Sequence, residues 1–330
     1  MRRSFLLLGI TLTVGAIAPL ATSQSSPLAA QPSLAQPAAA PRLPQLSRHP
    51  TVALTFDDLP SAGTLPAGDQ RARIATTLTS ELKANHLEGT YGFVNAVRLE
   101  NDPDAQQALR IWIDAGMNIG NHTWSHPSLT DNTAEAYERE IARGEPALAQ
   151  YAEARDWHWF RYPYLEEGET LAKREAVRGW LLRHHYRIAE VTIDFEDYMW
   201  NDTYGRCADQ HNSAAIASLH DSYLATADEY ITYSRSLSRS LYGRDIPYVL
   251  LLHVGAFDAK MLPELVALYR KRGFQFVTLP QAEADPAYSA DPAIAYPGGG
   301  LLMELEAARR NVALPTGASE PEAELDKMCR

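Results

Sequence analysis

From Thr51 to Leu279, short β-rich runs alternate with segments of helical spacing, and most runs end on a charged residue or a histidine. Repeated strand-then-helix units imply a mostly parallel sheet covered by helices, because parallel neighbours need long crossovers between them. Strands are expected over 51–56, 90–94, 117–120, 157–161, 186–193, 247–252 and 275–279. Helical spacing falls over 69–85, where Ile74, Leu78 and Leu82 share a face, then over 104–115, 133–151, 170–184 and 259–272. The stretch 212–242 reads as one long helix or two shorter ones.

The strand tips carry the information about function. Asp57 and Asp58, His122, Arg161, Asp194 and His253 each fall at or just past the end of an expected strand. In parallel α/β folds the carboxyl ends of strands share one face, and active sites are built there. Polar residues far apart in sequence are therefore expected to converge.

Composition narrows the partners. The 330 residues carry a formal charge of −11, so nothing in the charge balance favours nucleic acid or an anionic lipid surface. After the ends are discounted, the length suits one large α/β domain. Cys207 and Cys329 are the two cysteines. A single bridge between them is open in an oxidising compartment, although Cys329 sits where chain ends usually fray.

Residues 1–23 read as a signal peptide: Arg2 and Arg3, an apolar run over 5–18, then Ala21-Thr22-Ser23. Gly9, Gly15 and Pro19 interrupt a run already short for a membrane span. Export to a periplasm or beyond is expected, with no stable membrane insertion after cleavage. Residues 24–48, rich in Ser, Pro, Ala and Gln, read as a flexible linker. A folded domain is expected over 49–281. Residues 282–330 read as a partly disordered extension with a short helix near 301–310 and a loose end.

His122 and His126 stand four apart, a spacing at which two rings can reach one ion or simply pack in a core. The flanking Asn121, Ser125 and Pro127 suit an irregular loop. Asp57-Asp58 follows an apolar strand; adjacent side chains on an extended chain point apart, so the two carboxylates are expected to have different jobs. One can bind metal while the other faces water, or one can cap the next turn. Arg161 can hold a carboxylate in a fixed direction or make a surface ion pair. His253 becomes a candidate acid if a carboxylate such as Asp197 orients it, while Asp197 can also be a helix cap.

These blocks, in this order, resemble the polysaccharide deacetylases, the carbohydrate esterases with a NodB-type domain. Thr55-Phe56-Asp57-Asp58 is similar to the first block, HTWSH at 122–126 to the second and RYPY at 161–164 to the third. DFEDY at 194–198 and LLLH at 250–253 are similar to the fourth and fifth. The resemblance implies a distorted parallel (β/α) barrel and a divalent metal, zinc first, with cobalt or nickel as alternatives. It implies that Asp58, His122 and His126 bind that metal, that Asp57 is the base and His253 the acid. Arg161 would brace Asp57, Asp197 would tune His253, and the backbone N–H of Tyr162 would face the oxyanion. Tyr162, Pro163, Tyr164 and Trp200 would line the substrate groove. Tyr198 stands where the family commonly has tryptophan, and Leu59 where it often has glycine; both bear on substrate more than on chemistry.

The reaction implied is removal of acetyl groups from an N-acetylated glycan. Three other readings remain: an esterase for O-acetyl groups, an inactive carbohydrate-binding protein, and an iron oxygenase, which also uses two histidines and a carboxylate. Asp57, Arg161 and His253 have a place in hydrolysis and none in oxygenase chemistry.

Overall fold

The computed structural model describes residues 49–330 apart from 64, 153 and 154. The expected signal peptide and linker lie outside the described residues. The elements run β1 (Thr51–Leu59), α1 (Arg71–Ala84), β2 (Tyr91–Val94), α2 (Pro103–Asp114), β3 (Asn118–Asn121), α3 (Ala134–Ala152), β4 (Trp159–Phe160), α4 (Leu171–Arg183) and β5 (Arg187–Ile188). There follow α5 (Tyr198–Asp209), α6 (Ser213–Tyr242), β6 (Tyr248–His253), α7 (Ala256–Lys271), β7 (Gln275–Phe276), α8 (Leu279–Ala282), α9 (Leu302–Arg310) and α10 (Glu322–Leu325).

All strand pairs are parallel, in the order β5-β4-β3-β2-β1-β6, with β7 beside the start of β1. The strand expected over 186–193 is split between two partners. Arg187 and Ile188 pair with β4, and five residues later Ile193 bridges to Leu250 of β6. The segment thus links the two ends of the strand order and curls the sheet into a distorted (β/α) barrel. The strand expected over 275–279 is also shorter: Thr278 and Gln281 form a reciprocal capping box that starts α8 instead.

β6 is apolar from Tyr248 to Leu252 and buried throughout, which fits a parallel strand packed on both faces. Each such side chain contributes roughly 1.5–3 kcal/mol by leaving water. β6 pairs with β1 from Val52↔Tyr248 to Asp57↔His253. That register sets Asp57 and His253 side by side at the barrel's carboxyl end.

The tail is ordered where a loose end was expected. Leu301, Leu302, Met303, Leu305 and Leu325 are buried, and Cys329 is bridged to Cys207 of α5. Apolar positions in this segment give it a core face that its Ala-, Pro- and Gly-rich flanks obscure.

Candidate active site

A cavity of about 520 Å³ opens at the carboxyl end of the barrel, lined by Asp57, Asp58, His122, His126, Asp194 and His253 among others. Five of the six strand-tip residues line it directly, and the sixth, Arg161, lies against Asp57.

Asp58 adopts a left-handed backbone (φ 64°) next to a register irregularity between Phe56 and Leu59. This undoes the alternation expected of an extended chain. Both carboxylates come within 3.8 Å of His122 Nε2. A non-glycine residue at positive φ carries a conformational cost, and Thr123, His126, Tyr164 and Glu196 share it around this cavity. Loops held this way are what the surrounding packing must impose.

His122 is buried, and its Nδ1 lies 2.8 Å from the Arg161 carbonyl. A carbonyl only accepts, so Nδ1 carries the proton and Nε2 presents a lone pair to the cavity. Burial lowers the His122 pKa against the pull of Asp57 and Asp58. Burial, then His122, lowers His126 to about 4, although Asp58 opposes them. Both rings are therefore neutral at physiological pH.

Asp58 Oδ1 lies 3.6 Å from His126 Nε2 and 3.8 Å from His122 Nε2. It is buried with no hydrogen-bond partner among the described residues. Burial raises the Asp58 pKa, but Arg98 and then the histidines outweigh it, so the carboxyl stays ionised. Two lone pairs and one orphaned anionic oxygen at these separations fit a shared divalent cation. Ligands ~2.1 Å from a tetrahedral centre lie roughly 3.4 Å apart. Asp58, His122 and His126 can therefore hold a metal ion.

Arg161 is 1 % exposed and spends its donors inside the barrel. Nη1 reaches both oxygens of Asp57 at 3.1 and 3.3 Å, Nε the Ala189 carbonyl at 2.7 Å and Nη2 the Thr55 hydroxyl at 3.1 Å. The guanidinium also sits 4.7 Å from the Phe93 ring centroid. This is a buried, fully specified ion pair rather than a surface one.

His253 Nδ1 lies 2.7 Å from Asp197 Oδ1, and its backbone N–H donates to Asp197 Oδ2 at 2.7 Å. Burial would lower the imidazole pKa, but the adjacent Asp197 carboxylate pushes it up to about 10. Nε2 is left for the cavity. Nearby, burial pushes Asp194 up to about 7 although its carboxylate accepts from the Glu196 N–H.

The expected groove residues divide. Tyr164 is 58 % exposed, and its ring meets His126 edge-on at 4.5 Å. Tyr162 and Pro163 are buried; the Tyr162 ring stacks on Tyr137 at 6.2 Å, away from the lining. Trp200 does not line the groove: it is 0 % exposed and donates to the Ser222 hydroxyl at 2.9 Å. The reason is helical phase. Tyr198 and Trp200 lie about 200° apart around α5, so one faces the cavity and the other the core. Tyr198, noted only as a departure, is the exposed partner, 5.3 Å from the His253 ring.

Other lining residues gave no signal. Arg98, behind the lining, reaches Asp58 at 3.4 Å from a short 3₁₀ turn. Gly299, Leu301, Glu304 and Glu320 come from the tail, and Tyr230 from α6. None belongs to a periodic polar pattern.

Residues 46–179 match the family model described as polysaccharide deacetylase. That stretch, under half of the chain, is similar to the polysaccharide deacetylase domain. Among curated relatives, a chitin deacetylase of Arthroderma benhamiae is 29% identical over 154 residues, 47% of this chain and 37% of that one. A peptidoglycan-N-acetylglucosamine deacetylase of Bacillus cereus is 29% identical over 150 residues, 44% of this chain and 46% of that one. The matched stretch thus spans less than half the length of either relative. The solved chitin deacetylase of Colletotrichum lindemuthianum shares the fold, with TM-score 0.50 and 20% identity over 71% of this chain and 88% of that one. The family match stops before Asp197 and His253, so those two are assigned by geometry.

Proposed function

We propose that this protein is an exported N-deacetylase acting on an acetylamino-sugar chain. The observation that carries the reading is the convergence, in one cavity, of three metal-fitting atoms with two separately braced proton carriers, Asp57 on Arg161 and His253 on Asp197.

A divalent ion, zinc in this reading, would be held by Asp58, His122 and His126 and would supply Lewis acidity and an acidified water. Asp57 then accepts the proton as water adds to the acetyl carbonyl. Arg161 keeps Asp57 aimed, since its Nη1 donates to both carboxylate oxygens. The backbone N–H of Tyr162 is the proposed donor to the developing oxyanion. His253, charged through Asp197, donates its Nε2 proton to the nitrogen as the C–N bond breaks. Acetic acid and a free amine form, with one proton taken by Asp57 and one given by His253; the acid ionises to acetate on release, and Asp57 gives up its proton through solvent as His253 regains one. An amine leaves poorly unprotonated, so the strongly charged His253 favours N-acetyl over O-acetyl substrates.

Export is proposed on the reading of residues 1–23 as a signal and 24–48 as a linker, with the mature protein periplasmic or extracellular. The Cys207–Cys329 bridge supports an oxidising compartment. No described helix is long and apolar enough to cross a membrane.

The test is acetate release from a panel of N-acetyl and O-acetyl glycans, with metal-stripped protein and Asp57→Asn as controls. Release from N-acetylated chains that both controls abolish supports the proposal. Release from O-acetyl chains alone would make it an esterase, and binding without release would make it a carbohydrate-binding protein.

A further inference from the structure

The tail supplies one wall of the cavity. Gly299 packs so closely that an added Cβ would lie 1.9 Å from the Tyr164 carbonyl oxygen. The Leu302 N–H donates to the Val191 carbonyl at 3.0 Å, and Leu301 packs with Val191 and Leu251. Farther along, α5 clasps the chain end. The Thr203 hydroxyl and Arg206 Nη2 donate to the Leu325 carbonyl at 3.2 and 3.0 Å, Gln210 donates to the Cys329 carbonyl at 2.8 Å, and the disulfide lies beside them. The wall is a built feature rather than a passing contact.

Its chemistry is one-sided. Glu304 and Glu320 line the cavity with Glu196 and Asp194, and no Lys or Arg is among the lining residues. Each of the three glutamates is held by a tyrosine rather than a cation: Tyr198 on Glu196 at 3.0 Å, Tyr233 on Glu304 at 2.7 Å, and Tyr230 on Glu320. A phenol engages one carboxylate oxygen and leaves acceptor capacity for a ligand. The glutamates also act on one another. Burial, then Glu320 and Glu322, pushes Glu196 up against the hydroxyl of Tyr198, and burial and Glu320 do the same to Glu304 against Tyr233. A cation entering the cavity relieves that repulsion; an anion adds to it. Tyr164 and Tyr198, both exposed at the rim, offer flat faces to sugar rings.

We propose that the wall from Gly299 to Glu320 makes the site selective for amino-sugar chains already carrying free amines. The preferred substrate is then a partly deacetylated, cationic glycan, and carboxylate-bearing glycans are rejected. This rests on the deacetylase reading and names its substrate class. Glu196, Glu304 and Glu320 are the specificity residues.

The test uses the full metal-loaded protein and three tetrasaccharide classes of equal length: fully N-acetylated, partly deacetylated, and partly deacetylated then N-succinylated. At mildly acidic pH and low salt, kcat/KM is expected to be roughly tenfold higher for the cationic class than for the neutral one. It is expected to be lower still for the anionic class, and the spread should shrink as salt rises. In Glu304→Gln/Glu320→Gln the cationic-to-neutral ratio should collapse toward one. Glutamine matches glutamate in shape and still accepts from the tyrosines; Glu320→Gln alone, expected to lower the ratio partway, covers a folding failure of the pair. Calorimetry with metal-stripped protein and a glucosamine tetramer provides a readout independent of turnover, with weaker binding expected in the double variant. Equal kcat/KM across the three classes, or a ratio unmoved in both variants, would overturn the proposal. Absence of acetate release from every class would instead sink the deacetylase reading. In that case the calorimetric arm decides the selectivity: no binding of the glucosamine tetramer overturns it.

Discussion

Asp197 holds His253 at two points, accepting from its backbone N–H and facing its ring Nδ1, each at 2.7 Å. Both groups are tied to the end of the strand that pairs with β1, so the charge on His253 is set by the fold itself. The folded imidazole lies at about 10, above its ordinary 6.5. The stabilisation from the charged pair is therefore complete below about 6.5 and is lost as pH rises through about 10. In Asp197→Asn the carboxylate is gone and burial dominates, which drives the pKa below the ordinary value. The basic limb of the pH profile should move down by several units, and kcat at pH 8 should fall ~10²-fold or more. A cation beside Asp58 would lower the midpoint in both proteins without reversing their order. An NMR titration of the ring checks the shift apart from turnover.

Arg161 and Asp57 form the second braced pair, with Arg161 1 % exposed. Arg161→Met removes the partner of a buried carboxylate. The expected cost is ~3–5 kcal/mol of stability, because the remaining charge has no water to solvate it. Acetate release should fall ~10²-fold or more at equal protein folded, as Asp57 loses its orientation. Asp57→Asn/Arg161→Met removes both charges and should recover part of the stability but none of the activity. Chemical denaturation of the three proteins separates the two effects.

Metal retention gives a third check. His126→Ala and Asp58→Asn each remove one of three atoms that fit a cation. Loss of partners that merely orient a ligand costs 10–100-fold in metal affinity, so loss of a ligand should cost at least ~10²-fold. Competition with a chromophoric chelator measures this without any glycan. Unchanged affinity in both variants would move the metal elsewhere.

Asp57, Asp58, His122, Arg161 and His253 could be read from sequence because each lies at the end of a buried strand, and strand ends in a parallel sheet share a face; His126 followed from its four-residue spacing to His122. Trp200 was misread because a two-residue offset means opposite sides on a helix, and Asp197, which stands at the N-cap of α5, could equally be read as the partner of His253 on an extended loop. The strand over 186–193 looked continuous because its apolar pattern is the same whether one neighbour or two pair with it. In the tail the short helix near 301–310 is present as α9, but its packing was missed: Gly298-Gly299-Gly300 reads as a loop, yet Gly299 lets the chain lie against the Tyr164 carbonyl.

The burial of Trp200 yields its own prediction. Trp200→Ala should cost ~3–5 kcal/mol, the usual price of emptying a large core site. KM for any glycan should stay within about twofold at temperatures where the variant is folded. Tyr198→Ala should do the reverse, since Tyr198 is exposed beside His253: little loss of stability, which is usual for surface changes, and a clear rise in KM. Equal KM effects from both would mean that α5 is rotated relative to the arrangement described.

The Cys207–Cys329 bridge joins residues 122 apart. Closing so long a loop restricts the unfolded chain, which in the chain-entropy account is worth ~4–5 kcal/mol to the folded state. Cys207→Ser/Cys329→Ser should therefore lower the Tm on the order of 10 °C. Reductant should bring the native protein to the same value and leave the variant unmoved. Activity offers a second, sharper readout. Leu325 is buried and its carbonyl is held by Thr203 and Arg206, so the clasp can survive without the disulfide at low temperature. As temperature rises the end of the tail should detach before the barrel melts, because beyond α9 only buried Leu325 and a few hydrogen bonds then hold it. Acetate release should consequently decline at a temperature below the main unfolding transition in the double variant. In the native protein the two should coincide. Coincident loss in both would mean that the tail wall does not bear on turnover.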